Sequence, residues 1–306
     1  MVALFNETPI VQHLMKKRVL FFASVAIALS LCFTACDPKE DPIVPDNNEP
    51  EIPEIDYFEG LDVSTNVKKR NAVIEEFTGV QCGYCPDGHA IVRQLMEEFP
   101  GKILAINIHQ GGYATRYTTQ WGDALAQLVH VTGYPCATIN RHEFTGGMAQ
   151  SRNMWRDRAN NIKGKNSCVN LAARAVIDTT TRHMTVMVKG HYTANSDSTT
   201  NRLNIALLQN DIVGPQSNYG NYNPEGYDAS GKYHHMHMLR DLLTGQWGDL
   251  IEETTKGTDF TKVYEYDIPE TISNEAVVLS DLEVIAFINL DKIEVITGVA
   301  AEIIFK

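Results

Sequence analysis

Positive charge is scarce in this chain of 306 residues: 26 Lys and Arg stand against 38 Asp and Glu, a formal charge of −12, and the basic residues form no long block. A surface that holds nucleic acid or another polyanion is therefore not expected. Long hydrophobic runs are also missing, since the apolar stretch Val19 to Leu31 falls short of the roughly 20 residues a spanning helix needs. Cysteines number 6. Only one Cys-x-x-Cys occurs, and without a second a zinc site lacks ligands. No metal or cofactor is called for. The length suffices for two domains of ordinary size.

What the N-terminus does carry is an address. Met15-Lys16-Lys17-Arg18 is a basic start, Val19 to Leu31 an apolar core, and Phe33-Thr34-Ala35-Cys36 a close of small residues before a cysteine. This is the pattern of a signal peptide over residues 1–35, with Met15 a natural first residue and 1–14 superfluous. Its end resembles a bacterial lipobox, departing at Phe33 where Leu is usual. That resemblance implies diacylation of Cys36, loss of Cys32, and a membrane partner through the lipid alone, at about 0.8 kcal/mol per buried methylene. Residues 36–60 are rich in Pro and acid without apolar periodicity, and read as a tether. Lys39-Glu40-Asp41 resembles the acidic export tag of surface lipoproteins in Bacteroides-type bacteria. A cell-envelope location follows, with the periplasmic and the outer face both open.

The chemistry lies in VIEEFTGVQCGYCPDG, Val73 to Gly88. Ala72 to Phe77 reads as a buried strand and Thr78 to Gln81 as a turn; from Cys85 a helical pattern runs through Ile91, Leu95 and Phe99 to Pro100-Gly101. Cys82 then sits at a strand-to-helix junction, where backbone N–H groups and the helix dipole favour a thiolate. Pro86 in the first turn costs little. A strand at Ile103 to Ile108, a helical stretch Trp121 to His130 and a strand at Ala137 to Asn140 follow, the last preceded by Thr132-Gly133-Tyr134-Pro135.

This order resembles the thioredoxin fold over roughly Val67 to Lys165. The resemblance implies that Pro135 is cis and packs beside the dithiol, that Cys82 attacks and that Cys85 resolves. Thioredoxins also keep a buried acid six residues before the first cysteine, the place held here by Glu76. A carboxylate there accepts the resolving thiol's proton, because desolvation raises its pKa. Val73, Ile74 and Phe77 do not fix the phase of the strand, so a solvated strand-end acid stays open. Gln81, where thioredoxin has Trp, and Pro86 after the second cysteine are departures that bear on redox potential and partner surface. A fixed structural disulfide remains the alternative in an oxidising envelope. Cys136 is open to three fates: approach to the dithiol, pairing with Cys168, or burial.

Beyond Lys165 the pattern changes to alternation. Val169 to Ala175, Met184 to Val188, Leu203 to Leu208, Val263 to Ile268 and Val284 to Ile288 read as strands between polar loops. An α/β thioredoxin-like domain over 61–166 followed by an all-β sandwich domain over 167–306 is expected. Gly214 to Gly231, with Tyr219, Tyr222 and Tyr227, reads as a large loop, either a binding loop or disordered. His234, His235 and His237 lack a carboxylate motif and are weak metal candidates.

Leader, tether, Cys-Gly-Tyr-Cys-Pro and the later Ile212-Val213-Gly214-Pro215-Gln216, Leu239-Arg240-Asp241 and Thr244-Gly245 together resemble the twenty-eight-kilodalton outer-membrane-protein family of Bacteroides-type bacteria. The resemblance implies an outer-membrane lipoprotein. Two functions follow as expectations: a thiol–disulfide oxidoreductase acting on protein thiols and disulfides of the envelope, or a surface binding or adhesion module in which the cysteine pair is structural.

Overall fold

Strands form where β-branched and apolar residues cluster, and helices where apolar residues recur every third or fourth place. The computed structural model describes residues 55–306; the leader, Cys36 and the tether up to residue 54 lie outside them. β1 (Ala72–Thr78) and β2 (Ile103–His109) are buried throughout. Between them runs α1 (Cys85–Glu98). Then come α2 (Gly122–Leu128), β3 (Cys136–Ile139), β4 (Gln150–Ser151) and α3 (Trp155–Gly164). β1 pairs parallel to β2 and antiparallel to β3, which pairs antiparallel to β4. α1 and α3 cover one face, with Leu95, Trp155 and Ile162 packed on Ile74. α2 covers the other through Leu125 and Ala126 against Phe77 and Ile108.

The remaining chain is strand-rich: β5 (Val169–Ile177), β6 (His183–Tyr192), β7 (Asn201–Gln209), β8 (Ile212–Gly214), β9 (Tyr233–His235), β10 (Met238–Leu242), β11 (Asp249–Leu250), β12 (Asp259–Asp267), β13 (Thr271–Ile272), β14 (Glu275–Ala276), β15 (Leu282–Leu290), β16 (Val295–Ala300) and β17 (Glu302–Phe305). Along β6 every second residue is buried, so one face meets a core and the other meets water. The sheet β12-β6-β5-β17 sets Ala175, Val186 and Val188 against Leu203, Leu207 and Val284 of a second sheet. The tether ends earlier than residue 60, because Arg174 Nη1 on β5 donates to the carbonyls of Tyr57 (2.8 Å) and Glu59 (2.9 Å).

The boundary expected at 166/167 does not separate two bodies. The second sheet runs β16-β15-β7-β10-β2-β1-β3-β4, and Glu54–Lys306 form one compact unit. β10 joins β2 in parallel at Met238 and Asn107, and Asn107 N–H donates to His237 O at 2.8 Å. The physical reason is the edge of β2: an apolar strand with unpaired backbone groups needs a cover, and β10 supplies it. Among the described residues no helix is long and apolar enough to cross a membrane.

A fragment of residues 61–166 alone should therefore aggregate or melt without a sharp transition, whereas residues 55–306 should melt in one. Calorimetry of both checks this; a sharp reversible melt of the short fragment would restore the boundary.

Candidate functional site

The turn from β1 to α1 carries Cys82 and Cys85, joined as a disulfide with Cα atoms 5.4 Å apart. Cys82 N–H donates to Gly79 O and Cys85 N–H to Cys82 O, a tight turn that places Cys82 at the mouth of α1. Tyr84 provides no side-chain cap, and the N–H groups of Cys85 and Asp87 donate to Cys82 O and Tyr84 O, so negative charge at Cys82 is favoured by the dipole of α1. Cys82 is 5 % exposed and Cys85 wholly buried. The Tyr134–Pro135 peptide is cis. Gly133 and Tyr134 share with Cys82, Gly83 and Tyr84 one groove of about 390 Å³.

The long loop after β8, left open between binding and disorder by the sequence, docks on this turn. Ser217 N–H donates to Val80 O at 2.8 Å and Tyr219 N–H to Gly83 O at 3.0 Å. Gln216 Nε2 donates to Cys82 O at 3.0 Å. Tyr219 lies edge-on to Tyr84, ring centres 5.4 Å apart. A Cβ on Gly83 would fall 2.4 Å from the Tyr219 ring, so glycine is what lets the loop close over the disulfide.

Beneath the turn lies Glu76. Its carboxylate faces α1: a Cβ on Gly88 would come within 2.5 Å of Glu76 Oε1, and Gly88 stands three residues beyond Cys85, on the same helix face. Glu76 is fully buried. Neither carboxyl oxygen has a hydrogen-bond partner among the described residues, and burial pushes its pKa well above the usual carboxylate value. Its neighbour Glu75 points to the opposite side and grips Arg141 through both oxygens. The solvated strand-end alternative thus holds for neither acid.

A set of polar residues that the sequence reading missed surrounds Glu76. His89 Nε2 is 3.6 Å from Glu76 Oε1 and 3.0 Å from Thr78 Oγ1. His89 Nδ1 meets Tyr233 Oη at 2.6 Å. The readable signal for His89 is its place one turn beyond Cys85 on the same face; nothing local connects it to Tyr233, 144 positions away.

The other candidates disperse. Cys136 and Cys168 are free thiols. Burial and the nearby Glu76 push the Cys136 thiol up to about 12, which keeps it an inert packing residue. His234 pairs with Asp211, His237 with Glu283, and His235 is buried, its pKa lowered to about 4 chiefly by desolvation. Among the described residues no group of His, Cys, Asp or Glu is placed to hold a metal ion.

The family described as outer membrane protein Omp28 matches over residues 122–304. The match includes Pro135 and the strand-rich half and begins after the dithiol. Among solved structures, HBP35 of Porphyromonas gingivalis is similar at 19 % identity with a TM-score of 0.60, over 77 % of this chain and 76 % of that one. At that identity the likeness concerns the fold alone. A domain of the outer membrane lipoprotein Omp28 from Porphyromonas gingivalis matches at 20 % identity over 46 % of this chain and 99 % of that domain, with a TM-score of 0.31. No curated protein matches.

Proposed function

The chain belongs to the Omp28 outer membrane protein family, and from that premise and the geometry around Cys82 we propose that it is an outer-membrane thiol–disulfide oxidoreductase of thioredoxin-like design. Cys36 is its lipid anchor and residues 36–56 its tether. The sheet order β2-β1-β3-β4, two helices on one face and one on the other, and the cis Tyr134–Pro135 peptide, whose Tyr134 shares a groove with Cys82, support the thioredoxin-like part; the two packed sheets support a sandwich joined to it edge to edge.

The single observation that carries the redox reading is the carboxyl group of Glu76. Burying an acid with no partner costs several kcal/mol or forces it to stay neutral, and a disulfide that only staples a turn gains nothing from it. A group that donates and accepts protons beside Cys85 does gain.

In the reducing direction Cys82 thiolate attacks a substrate disulfide, one substrate thiolate leaves, and a mixed disulfide forms. Cys85 then loses its proton by way of the Glu76 carboxyl, which gives up its own proton as it takes the new one, and attacks Cys82 Sγ. The intramolecular disulfide forms and the second substrate thiol departs, so two electrons have passed to the substrate. In the oxidising direction a substrate thiolate opens the Cys82–Cys85 bond, and Cys85 leaves with the proton of Glu76. Tyr219 and Tyr222 of the Tyr-rich loop pack on Tyr84 beside the dithiol, which supports their serving the same site as a substrate-facing rim.

Cys85→Ser should accumulate envelope proteins on Cys82 as mixed disulfides, visible as high-mass bands that dithiothreitol dissolves, and Cys82→Ser should accumulate none. Equal, empty lanes for both variants would return the pair to a structural role.

A further inference from the structure

Glu76 has no route to solvent of its own, yet each turnover of the proposed redox cycle changes its proton count. We propose that His89 and Tyr233 form the proton path between Glu76 and a cleft behind α1, a proposal that rests on the redox reading of Cys82 and Cys85.

The hydrogen bonds set the direction of each proton. Asn223 Nδ2 donates to Tyr233 Oη at 2.8 Å. The Tyr233 O–H is then left to donate to His89 Nδ1 at 2.6 Å. With Nδ1 accepting, a neutral imidazole carries its own proton on Nε2. That proton faces Thr78 Oγ1 at 3.0 Å and Glu76 Oε1 at 3.6 Å. The last gap exceeds a hydrogen bond and closes by a small turn of the carboxylate, as catalytic contacts do when a site is engaged. At the other end the cleft holds about 270 Å³ and is lined by His89, Arg93, Asn223, Tyr233, His234 and His237.

His89 is suited to the task because it stays neutral. Burial, with His235 and His237 nearby, lowers its pKa to about 3. The titratable and charged groups around it are Glu76 from β1, His109 from β2, Tyr233 and His235 from β9, His237 beyond it, and Arg93 on its own helix, which pairs with Glu225.

The path works in one direction per redox state. When a thiolate opens the disulfide, the Cys82–Cys85 bond breaks and Cys85 takes the proton of Glu76. His89 passes its Nε2 proton to the new carboxylate, Tyr233 refills Nδ1, and water in the cleft refills Tyr233. His89 is now the opposite tautomer, with a bare Nε2. When the disulfide closes again, Glu76 gives its proton to the bare Nε2 of His89, Nδ1 passes one through Tyr233 to the cleft, and the freed carboxylate takes the proton of Cys85 as its sulfur attacks Cys82. The tautomer of His89 therefore resets with each redox cycle.

The test uses the full chain, dithiothreitol to open the disulfide and oxidised glutathione to close it, with acid quench and alkylation to count thiols. Tyr233→Phe keeps the ring and removes the O–H; it should slow opening about tenfold, at temperatures below a melting point lowered by the loss of its hydrogen bonds to His89 and Asn223. His89→Ala should be slowed at least as much, and added imidazole should restore its rate, which no packing defect would allow. Wild-type rates in Tyr233→Phe at every pH where the protein is folded would overturn the path. Should the variants fold poorly, the wild type decides: opening should slow in D₂O by more than the reduction of oxidised glutathione by the same dithiothreitol does, and the absence of that excess isotope effect overturns the path too. A wild-type disulfide inert to both reagents overturns the redox reading instead.

Discussion

Glu76→Gln should slow opening and closing of the Cys82–Cys85 disulfide by about 10²- to 10⁴-fold, the usual range for removing a general acid–base, and should at the same time make the protein more stable at neutral pH. The kinetic half follows from position: the carboxyl lies under Gly88, one turn beyond Cys85 on the same helix face, and an amide there can neither give nor take the Cys85 proton. The stability half follows from linkage. Burial raises the pKa of Glu76 in the folded protein, so between the unfolded and folded values the folded state holds a proton that the unfolded state releases, and stability falls as pH rises through that window. The contribution of Glu76 is complete below the unfolded carboxylate pKa and is lost as pH climbs through the folded one. Urea unfolding at a series of pH values should show wild type and Glu76→Gln converging in acid and separating toward neutral pH, the variant higher. A slower but more stable variant is the mark of a residue kept for chemistry. Unchanged exchange rates would remove Glu76 from the site, whatever the stability curves show.

The parts of this site that could be read from the sequence are the ones whose signals are local. Cys82, Cys85 and the onset of α1 lie within one short stretch, and Gly133-Tyr134-Pro135 announces β3 from its own residues. The five strand runs of the later half coincide with observed strands, Val263 to Ile268 overrunning the end of β12 by one residue, because alternation is a short-range pattern. Glu76 was harder. β1 is buried on both faces, so alternation gives no phase, and only the partners across the sheet show that Glu75 faces Arg141 while Glu76 faces α1. α3 escaped notice although Trp155, Ala159 and Ile162, its buried residues, stand at helical spacing; its other positions are polar and Asn-rich. The domain boundary misled for a different reason. The change of pattern near Lys165 is real, but whether two patterned stretches fold apart depends on which strand covers the edge of β2, and β10 lies more than a hundred positions downstream. The loop over the dithiol belongs to the same class, since Gln216 and Gly83 carry no mark of each other.

Arg141→Ala should lower the unfolding free energy by about 3–5 kcal/mol, the usual result of removing one partner of a buried ion pair. Arg141 and Glu75 are almost wholly buried, and the guanidinium is bidentate, Nε to Oε2 at 2.7 Å and Nη2 to Oε1 at 2.6 Å. Its third nitrogen, Nη1, donates to Lys292 O at 3.2 Å in the turn between β15 and β16. The plane also lies over the Phe287 ring at 5.5 Å. One side chain thus ties β1, which carries Glu75 and Glu76, to the end of β3 and to a hairpin from the far half of the chain. Asn140 beside it adds its own ties, accepting from Val73 N–H at 2.7 Å and donating to Val295 O at 3.0 Å. Alanine would leave the Glu75 carboxylate stranded and the Lys292 carbonyl bare, whereas the double change Glu75→Leu with Arg141→Met removes both charges and should recover most of the loss. Urea unfolding of the three proteins checks this. If Arg141→Ala costs only the ~1 kcal/mol or less of a solvated pair, the clamp on β1 must come from the strand ladder alone, and the position of Glu76 under Cys85 would owe nothing to its neighbour.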